Sequence, residues 1–466
     1  MRACLAVFRL VLPGLTVGLL AACGGGGYGG GGDSNPPATL SLSIEPTTIT
    51  LGQSATLTWT TNGASCTAGG AWSGTKSAGG TETVTPTATG TFTYTLTCAG
   101  GGYGESRATS AALMVNPAGA FTQTLLVAGF AGSAAFKTDS SLVNPRGIAV
   151  GPDAPVRVVS GGRSNEFDGN GKRQSPSRTS GSGGSASTTA TRFDPTGIVA
   201  NTGADFVIVA GGKPEAAGFL VAGKGGMIGA LPRGAASADI VPVHSTNDGA
   251  VYMGVTVATD GTNSRLYVTD FHNNRIDVFD GMFRRLAPGA DRFSDPMLPD
   301  GYAPFGIQAI ETADGSTRIY VTYARQVSPD NRGPATGAGQ GLVNVFDTRG
   351  RFVKRLVSPG GMLNAPWGVA AAPADFGSLG NALLVANSGD GRINAYDPES
   401  GRLIGTVSDA DGRAIATPGL WGIAFGNGSN DQPRNTLFFA ASTDDLDGIF
   451  GRIDPGPMLF TPDSSD

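Results

Sequence analysis

Six short segments of this chain share one pattern: a variable residue, a glycine, then a brief apolar strand. They are Asn144-Pro145-Arg146-Gly147-Ile148-Ala149-Val150, Asp194-Pro195-Thr196-Gly197-Ile198-Val199 and Tyr252-Met253-Gly254-Val255-Thr256-Val257. Ala303-Pro304-Phe305-Gly306-Ile307-Gln308, Ala365-Pro366-Trp367-Gly368-Val369-Ala370 and Gly419-Leu420-Trp421-Gly422-Ile423-Ala424 follow. The repeat glycines stand at 147, 197, 254, 306, 368 and 422, in steps of 50 to 62 residues. Such a period marks a repeat architecture.

Within the later periods a second strand follows, as in Leu266-Tyr267-Val268-Thr269-Asp270. A tight turn then leads to a third, as in Arg275-Ile276-Asp277-Val278-Phe279-Asp280, and a fourth comes after, as in Arg351-Phe352-Val353-Lys354-Arg355-Leu356. Four antiparallel strands make one propeller blade. Residues 121–455 are therefore expected to form a six-bladed β-propeller, whose closure leaves no long open sheet edge. The stretch Phe121-Thr122-Gln123-Thr124-Leu125-Leu126-Val127 has no unit of its own, and the last repeat supplies three strands ending near Asp454. The early stretch is expected to complete the last blade.

No long segment carries apolar residues at helical spacing, so the class is all-β. Among 466 residues, 74 are glycine and only 15% are charged, with a formal net charge of −5. That balance gives no general attraction to nucleic acid.

The first residues read as an address. Arg2 and Arg9 supply a basic start, and Leu10 to Leu20 an apolar stretch too short to span a bilayer. Leu20-Ala21-Ala22-Cys23 resembles a bacterial lipobox. The resemblance implies that residues 1–22 are a signal peptide and that Cys23 is acylated, with residues 23–37 a glycine-rich tether. Gly24, with no Asp there, points by analogy to the outer membrane, facing the periplasm or the surface. A membrane partner through the lipid is thus expected. Cys4 leaves with the signal, so Cys66 and Cys98 remain and are expected to form a disulfide. A zinc site would need further ligands, and residues 33–120 hold no histidine.

Residues 38–117 form a Thr/Ser/Gly/Ala-rich block with clear alternation in Leu40-Ser41-Leu42-Ser43-Ile44, Ala55-Thr56-Leu57-Thr58-Trp59 and Phe92-Thr93-Tyr94-Thr95-Leu96. These read as half-buried strands of a small β-sandwich. The block resembles the immunoglobulin-like modules of bacterial surface proteins through Leu57-Thr58-Trp59-Thr60 before Cys66, and Tyr94-Thr95-Leu96-Thr97-Cys98. Trp59 precedes the first cysteine instead of following it, so the disulfide is not expected to be the usual bridge between sheets. Spacer and adhesive roles both stay open.

The repeats resemble NHL-type propellers, and more closely an uncharacterised bacterial family of exported propellers. The marks are Asp270-Phe271-His272-Asn273, Gly301-Tyr302-Ala303-Pro304-Phe305-Gly306-Ile307, Leu363-Asn364-Ala365-Pro366-Trp367-Gly368, Asp375-Phe376-Gly377, Gly389-Asp390-Gly391 and Gly419-Leu420-Trp421-Gly422. The resemblance covers roughly residues 121–455 and implies no activity. The chain departs from it at Asn387-Ser388-Gly389 and around Val156 to Gly171. Residues 163–192 read as a Ser/Gly/Thr-rich loop insertion, and residues 456–466 as a C-terminal tail.

In this architecture the residue before each repeat glycine should ring the channel mouth: Arg146, Thr196, Met253, Phe305, Trp367 and Trp421. Aromatics and an arginine on one rim suit a sugar face, an aromatic group or an acidic ligand. Packing alone, as a plug of the narrow end, is the alternative. Turns between second and third strands add Asp270, His272, Asn273, Tyr323, Arg325, Asn387 and Asp390 to the same face. Asp270, Asn273, Asn387 and Asp390 have the oxygen chemistry of a calcium site, and equally that of ordinary turns. Only His244 and His272 exist, which excludes a three-histidine zinc site. His272 is the best acid–base candidate. There is no Gly-x-Ser-x-Gly strand-turn, phosphate loop or dinucleotide fingerprint in the right context.

Two functions follow as expectations. One is a membrane-anchored extracytoplasmic binding or scaffold protein, using the mouth for a glycan, peptide or protein ligand. The other is a metal-dependent hydrolase or lyase with its site at the same mouth.

Overall fold

The computed structural model describes residues 39–456, apart from 51–53, 63–64, 87, 89, 100–105, 117–120, 175–192, 211, 235–239, 262, 288, 290–291 and 444–446. The expected signal peptide, Cys23, the tether and nearly all of the C-terminal tail lie outside the described residues. Strand dominates, and the single described helix is the one-turn 3-10 segment Gly377–Leu379.

Residues 40–116 form two sheets. Leu40–Glu45, Ala55–Thr61 and Gly79–Val84 make one; Thr48–Thr50, Ser106–Asn116, Gly90–Ala99, Ser65–Gly70 and Gly74–Lys76 make the other. Alternation carries through to burial: Ala55, Leu57 and Trp59 point inward while Thr56, Thr58 and Thr60 are exposed. Ile44, Leu57 and Trp59 from one sheet meet Tyr94, Leu96 and Leu113 from the other in one core. Trp72 caps that core, edge-on to both Trp59 (5.4 Å) and Tyr94 (6.3 Å). The Cys66–Cys98 disulfide is present, and it joins residues directly opposite each other on adjacent strands of one sheet. It is therefore a bridge within a sheet, as the position of Trp59 suggested.

The described residues of 121–455 form six sheets in succession, antiparallel except where Lys137–Thr138 runs parallel to Phe121–Ala128. Their first strands are Ile148–Val150, Asp194–Ala200, Tyr252–Asp260, Tyr302–Glu311, Pro366–Ala371 and Leu420–Phe425. Each of these packs on the next, and the last packs on the first. A ring of sheets stacked around shared inner strands is a β-propeller. Closure runs through Phe121–Ala128, which pairs antiparallel with Ile449–Pro455 and so completes the last sheet from the other end of the chain.

Two sequence expectations need correction. Four strands per sheet is not universal: the first and third sheets have three, and a fourth is reduced there to the single bridges Phe167↔Arg173 and Phe279↔Arg285. The supposed insertion at 163–192 also begins later, because Arg163–Phe167 is a regular strand opposite Val156–Ser160. Its Ser164, Asn165 and Glu166 are polar yet buried, which hid the strand from a reading based on apolar runs.

The repeat glycines explain how the inner strands come so close. A Cβ on Gly306 would lie 1.9 Å from the Trp367 carbonyl oxygen, and one on Gly368 2.6 Å from that of Trp421. A Cβ on Gly422 would lie 2.6 Å from the Arg146 oxygen, so the same contact closes the ring. Gly422 N–H donates to that oxygen at 3.1 Å. Hydroxyls stitch the neighbours further. Thr269 Oγ1 accepts from Gly254 N–H (2.7 Å) and donates to the Phe305 carbonyl of the next sheet (2.9 Å). Thr322 Oγ1 accepts from Gly306 N–H at 2.9 Å and lies 3.4 Å from the Trp367 carbonyl.

Gly306→Ala should therefore cost about 3 kcal/mol or more through backbone overlap. Gly361→Ala, where the new methyl would meet nothing within 4 Å, should stay within about 0.5 kcal/mol of the parent. Urea unfolding of the two variants checks this; equal midpoints would refute the contact argument.

Candidate functional site

Five of the six expected rim residues, all but Arg146, owe their aim to a shared irregularity. In five inner strands the pairing register breaks at the repeat glycine: between Pro195 and Gly197, Tyr252 and Val255, Pro304 and Gly306, Pro366 and Val369, and Leu420 and Ile423. The residue before the glycine is left out of the ladder each time. Such bulges re-aim a side chain, and here Met253, Phe305, Trp367 and Trp421 converge in one cluster with Phe271. Phe305 and Trp367 contact Trp421 at ring distances of 5.7 and 5.9 Å. The Arg146 guanidinium lies over the Trp421 ring at 4.9 Å, and Arg146 Nε donates to Asn144 Oδ1 at 3.2 Å.

Burial separates these residues. Met253 and Phe305 are closed off from solvent, and Thr196 is buried with its hydroxyl donated to the Tyr252 carbonyl at 2.8 Å. Arg146 and Trp367 are each 9% exposed, and Trp421 is half-buried. Most of the ring is thus a packed plug, and Trp421 is its half-buried aromatic, with Arg146 over the ring. Trp367 Nε1 is buried without a hydrogen-bond partner among the described residues. Beneath the cluster the axis holds a cavity of about 30 Å³, bordered by Trp367 and the glycines 197, 254, 306, 368 and 422.

The turn residues are held by their own surroundings. Asp270 is fully buried and accepts from Val251 N–H (3.0 Å), Asn273 Nδ2 (2.7 Å) and Arg275 Nη2 (2.9 Å). Asn387 Nδ2 donates to the Met362 carbonyl at 2.9 Å, and Asp390 Oδ1 accepts from Arg392 N–H at 3.1 Å. Asp270 and Asn273 pair with each other, and no contact joins them to Asn387 or Asp390, which sit two sheets away. With Asp270 already committed to three donors, the set does not fit a calcium ion. Among the described residues no group of three or more His, Cys, Asp or Glu is placed to hold a metal.

His272 Nδ1 lies 3.0 Å from the Asp330 carbonyl, linking two turns of the mouth face. Tyr323 is buried and Arg325 exposed. His244 packs edge-on to Phe279 at 4.9 Å.

Sequence reasoning missed two features. Phe271, which packs on Phe305 at 4.8 Å, was legible only as part of a turn. A charge network also joins Asp248 and Asp277 to Arg275 and Arg285, with Tyr252 Oη donating to Asp277 Oδ2 at 2.7 Å. The alternation of Arg275 and Asp277 was its one local signal.

No family model matches the sequence. Two uncharacterised proteins of Acanthamoeba polyphaga mimivirus match over 277 residues each. The first is 32% identical over 57% of this chain and 64% of its own length. The second is 31% identical over 57% of this chain and 69% of its own length. The chain belongs to the family of these viral proteins. It spans just under two thirds of the first relative. The sequence reading had likened the chain to a bacterial family, whereas these members of the family are viral. Among solved structures, a putative phosphatase from Bacteroides thetaiotaomicron superposes with a TM-score of 0.47 at 12% identity, covering 91% of this chain and 98% of that one. An auxiliary nutrient binding protein from the same organism gives 0.46 at 14% identity, covering 91% and 99%. Among the described residues no helix is long and apolar enough to cross a membrane.

Burial lowers the pKa of His244, and the Arg285 charge lowers it further against the pull of Asp277 and Asp248. The unfolded state therefore binds a proton that the folded state refuses. Stability from this group is full above about pH 6.5 and falls as pH drops through that value. His244→Gln should lose less stability than the parent between pH 7.5 and 5.5, as measured by thermal melts; identical losses would refute the assignment.

Proposed function

We propose that this chain is a membrane-anchored extracytoplasmic binding protein whose propeller mouth takes a glycan, peptide or protein ligand. The observation that carries the reading is the setting of Trp421. Its half-buried ring is held by Phe305 and Trp367 from within, and the Arg146 guanidinium lies against it. An immobilised aromatic face beside a cation suits stacking on a sugar ring or on an aromatic or acidic side chain, with little entropy left to lose on binding.

In this reading each of the six sheets is a blade, and the N-terminal sandwich is an immunoglobulin-like spacer that lifts the ring from the membrane. The lipobox-like Leu20-Ala21-Ala22-Cys23 supports acylation at Cys23 and an outer-membrane address. The closed ring of inner strands supports the blade count, and the shared core of the two small sheets supports the spacer. The arrangement of the turn residues lends nothing to the hydrolase or lyase alternative, since Asp270, Asn273 and Asp390 are engaged in local bonds.

The test is a titration of neutral oligosaccharides and of short peptides containing aromatic or acidic residues, followed by tryptophan fluorescence. A binder should lose roughly tenfold or more in affinity with Trp421→Ala, the size expected for a central aromatic anchor. A ligand whose affinity that substitution leaves unchanged would place recognition elsewhere.

A further inference from the structure

The third sheet stops one strand short, at Arg275–Asp280. In the turn that follows, Asp280 N–H donates to the Arg284 carbonyl at 3.0 Å and Arg284 Nε donates to Asp280 Oδ2 at 2.8 Å. Asp347 and Arg351 build the same turn in the fourth sheet, with the matching bonds at 3.0 and 2.6 Å. There the chain goes on as the strand Phe352–Val357, paired along its length. In the third sheet it follows the edge only for the single bridge Phe279↔Arg285 and then departs. Phe293 and Asp295 are drawn to the fourth sheet instead. Phe293 N–H donates to the Gly350 carbonyl at 2.7 Å, and Asp295 Oδ2 accepts from Asn344 Nδ2 at 3.0 Å. A cavity of about 420 Å³ remains beside the edge, walled by residues 274–278 on one side and by 292–295 and 298–301 on the other.

The wall at 274–278 is unpaired backbone. Leu286 N–H donates to the Val278 carbonyl at 2.8 Å, which fixes the direction in which Val278 faces. Outward-facing groups recur at every second residue of an antiparallel strand, so the Ile276 N–H and carbonyl and the Val278 N–H face outward too. Among the described residues none of these three groups has a hydrogen-bond partner. Ile276 and Val278, with Phe293 and Leu298, pack on the core shared by the third and fourth sheets and give the cavity an apolar side. Charged residues border it as well. Arg275 pairs with Asp277 at 2.9 Å and Asp295 with Arg355, while Arg292 and Asp300 are exposed. Both signs are present, so charge does not choose the partner.

We propose that this edge binds an extended peptide segment of a partner protein, which adds antiparallel as the missing fourth strand. Bare N–H and carbonyl groups at strand spacing are met in register by another extended backbone. Directly opposed residues of an antiparallel pair share a face. The partner residues that bond to Ile276 and Val278 therefore turn their side chains to the apolar side and should be apolar. Those between them face the side of Arg275 and Asp277 and should be polar. The site lies off the axis, between two sheets, and does not rest on the mouth.

Fluorescence anisotropy of a dye-labelled, capped pentapeptide of alternating threonine and valine, titrated with the whole protein, tests it. N-methylation of the valines blocks the amides that meet the edge and should weaken binding by roughly tenfold or more. N-methylation of the threonines, whose amides point away, should leave the affinity within about twofold. Ile276→Pro removes one edge donor at a position where an edge strand accepts proline, and should weaken the unmethylated peptide by roughly tenfold. Trp421→Ala should bind that peptide as the parent does. No binding by the parent, any other ranking of the two methylated peptides, or loss of binding in Trp421→Ala would overturn the proposal. So would a dimer formed through this edge that the peptide fails to dissociate in sedimentation. Should Ile276→Pro not fold, the two methylated peptides decide alone.

Discussion

Backbone pressed on backbone at the axis is the contact from which the rest of this molecule is built. The circumference of a ring is shortest at its centre, so inner strands must approach more closely there than side chains allow. Glycine removes the obstacle: at 306, 368 and 422 the space a Cβ would need is taken by the carbonyl of the neighbouring sheet. The freed distance lets polar groups of one sheet reach those of the next. Thr269 and Thr322 act in this way, each linking an inner-strand N–H to its neighbour's carbonyl. Buried amides that would otherwise lack partners are satisfied by the same hydroxyls, and such groups are expensive to leave unmade.

The bulge follows from the same crowding. Where the ladder skips the residue before the glycine, that side chain is turned toward the axis, and its size decides how the opening is filled. The filling is lopsided. Phe305, Trp367 and Trp421 come from three consecutive sheets, while the opposite arc carries Arg146, Thr196 and Met253. One side of the mouth is therefore apolar and stacked, and the other brings a guanidinium against it. An evenly sixfold rim would offer a round, uniform opening; this one offers a directional surface that can tell one end of a ligand from the other.

Much of the architecture could be read from the sequence because its signals are short-range. A glycine before an apolar strand, an aspartate closing the next and a tight turn after it are legible one period at a time. Even the pairing of Phe121–Ala128 with the last sheet followed from counting strands. Burial of the rim was less legible. Periodicity places Phe305 and Met253 on the axis but says nothing of how deeply, because depth depends on partners such as Phe271 that arrive from elsewhere in the chain. Polar residues misled in both directions. Ser164, Asn165 and Glu166 form a buried strand that composition disguised as loop, and Asp270 looked available for a ligand while its oxygens were already committed. Cross-strand charge pairs leave almost no trace in a one-dimensional pattern, since the partners are related by register and not by motif.

The pairing of Phe121–Ala128 with Ile449–Pro455 also sets the order of events during folding. The first segment of the ring must wait, unpaired, until the last is made, so closure follows the synthesis of every other sheet. Until then the nascent ring has two open edges and cannot lock. Once the final strand emerges, one zipper of hydrogen bonds converts a pliable string of sheets into a sealed body.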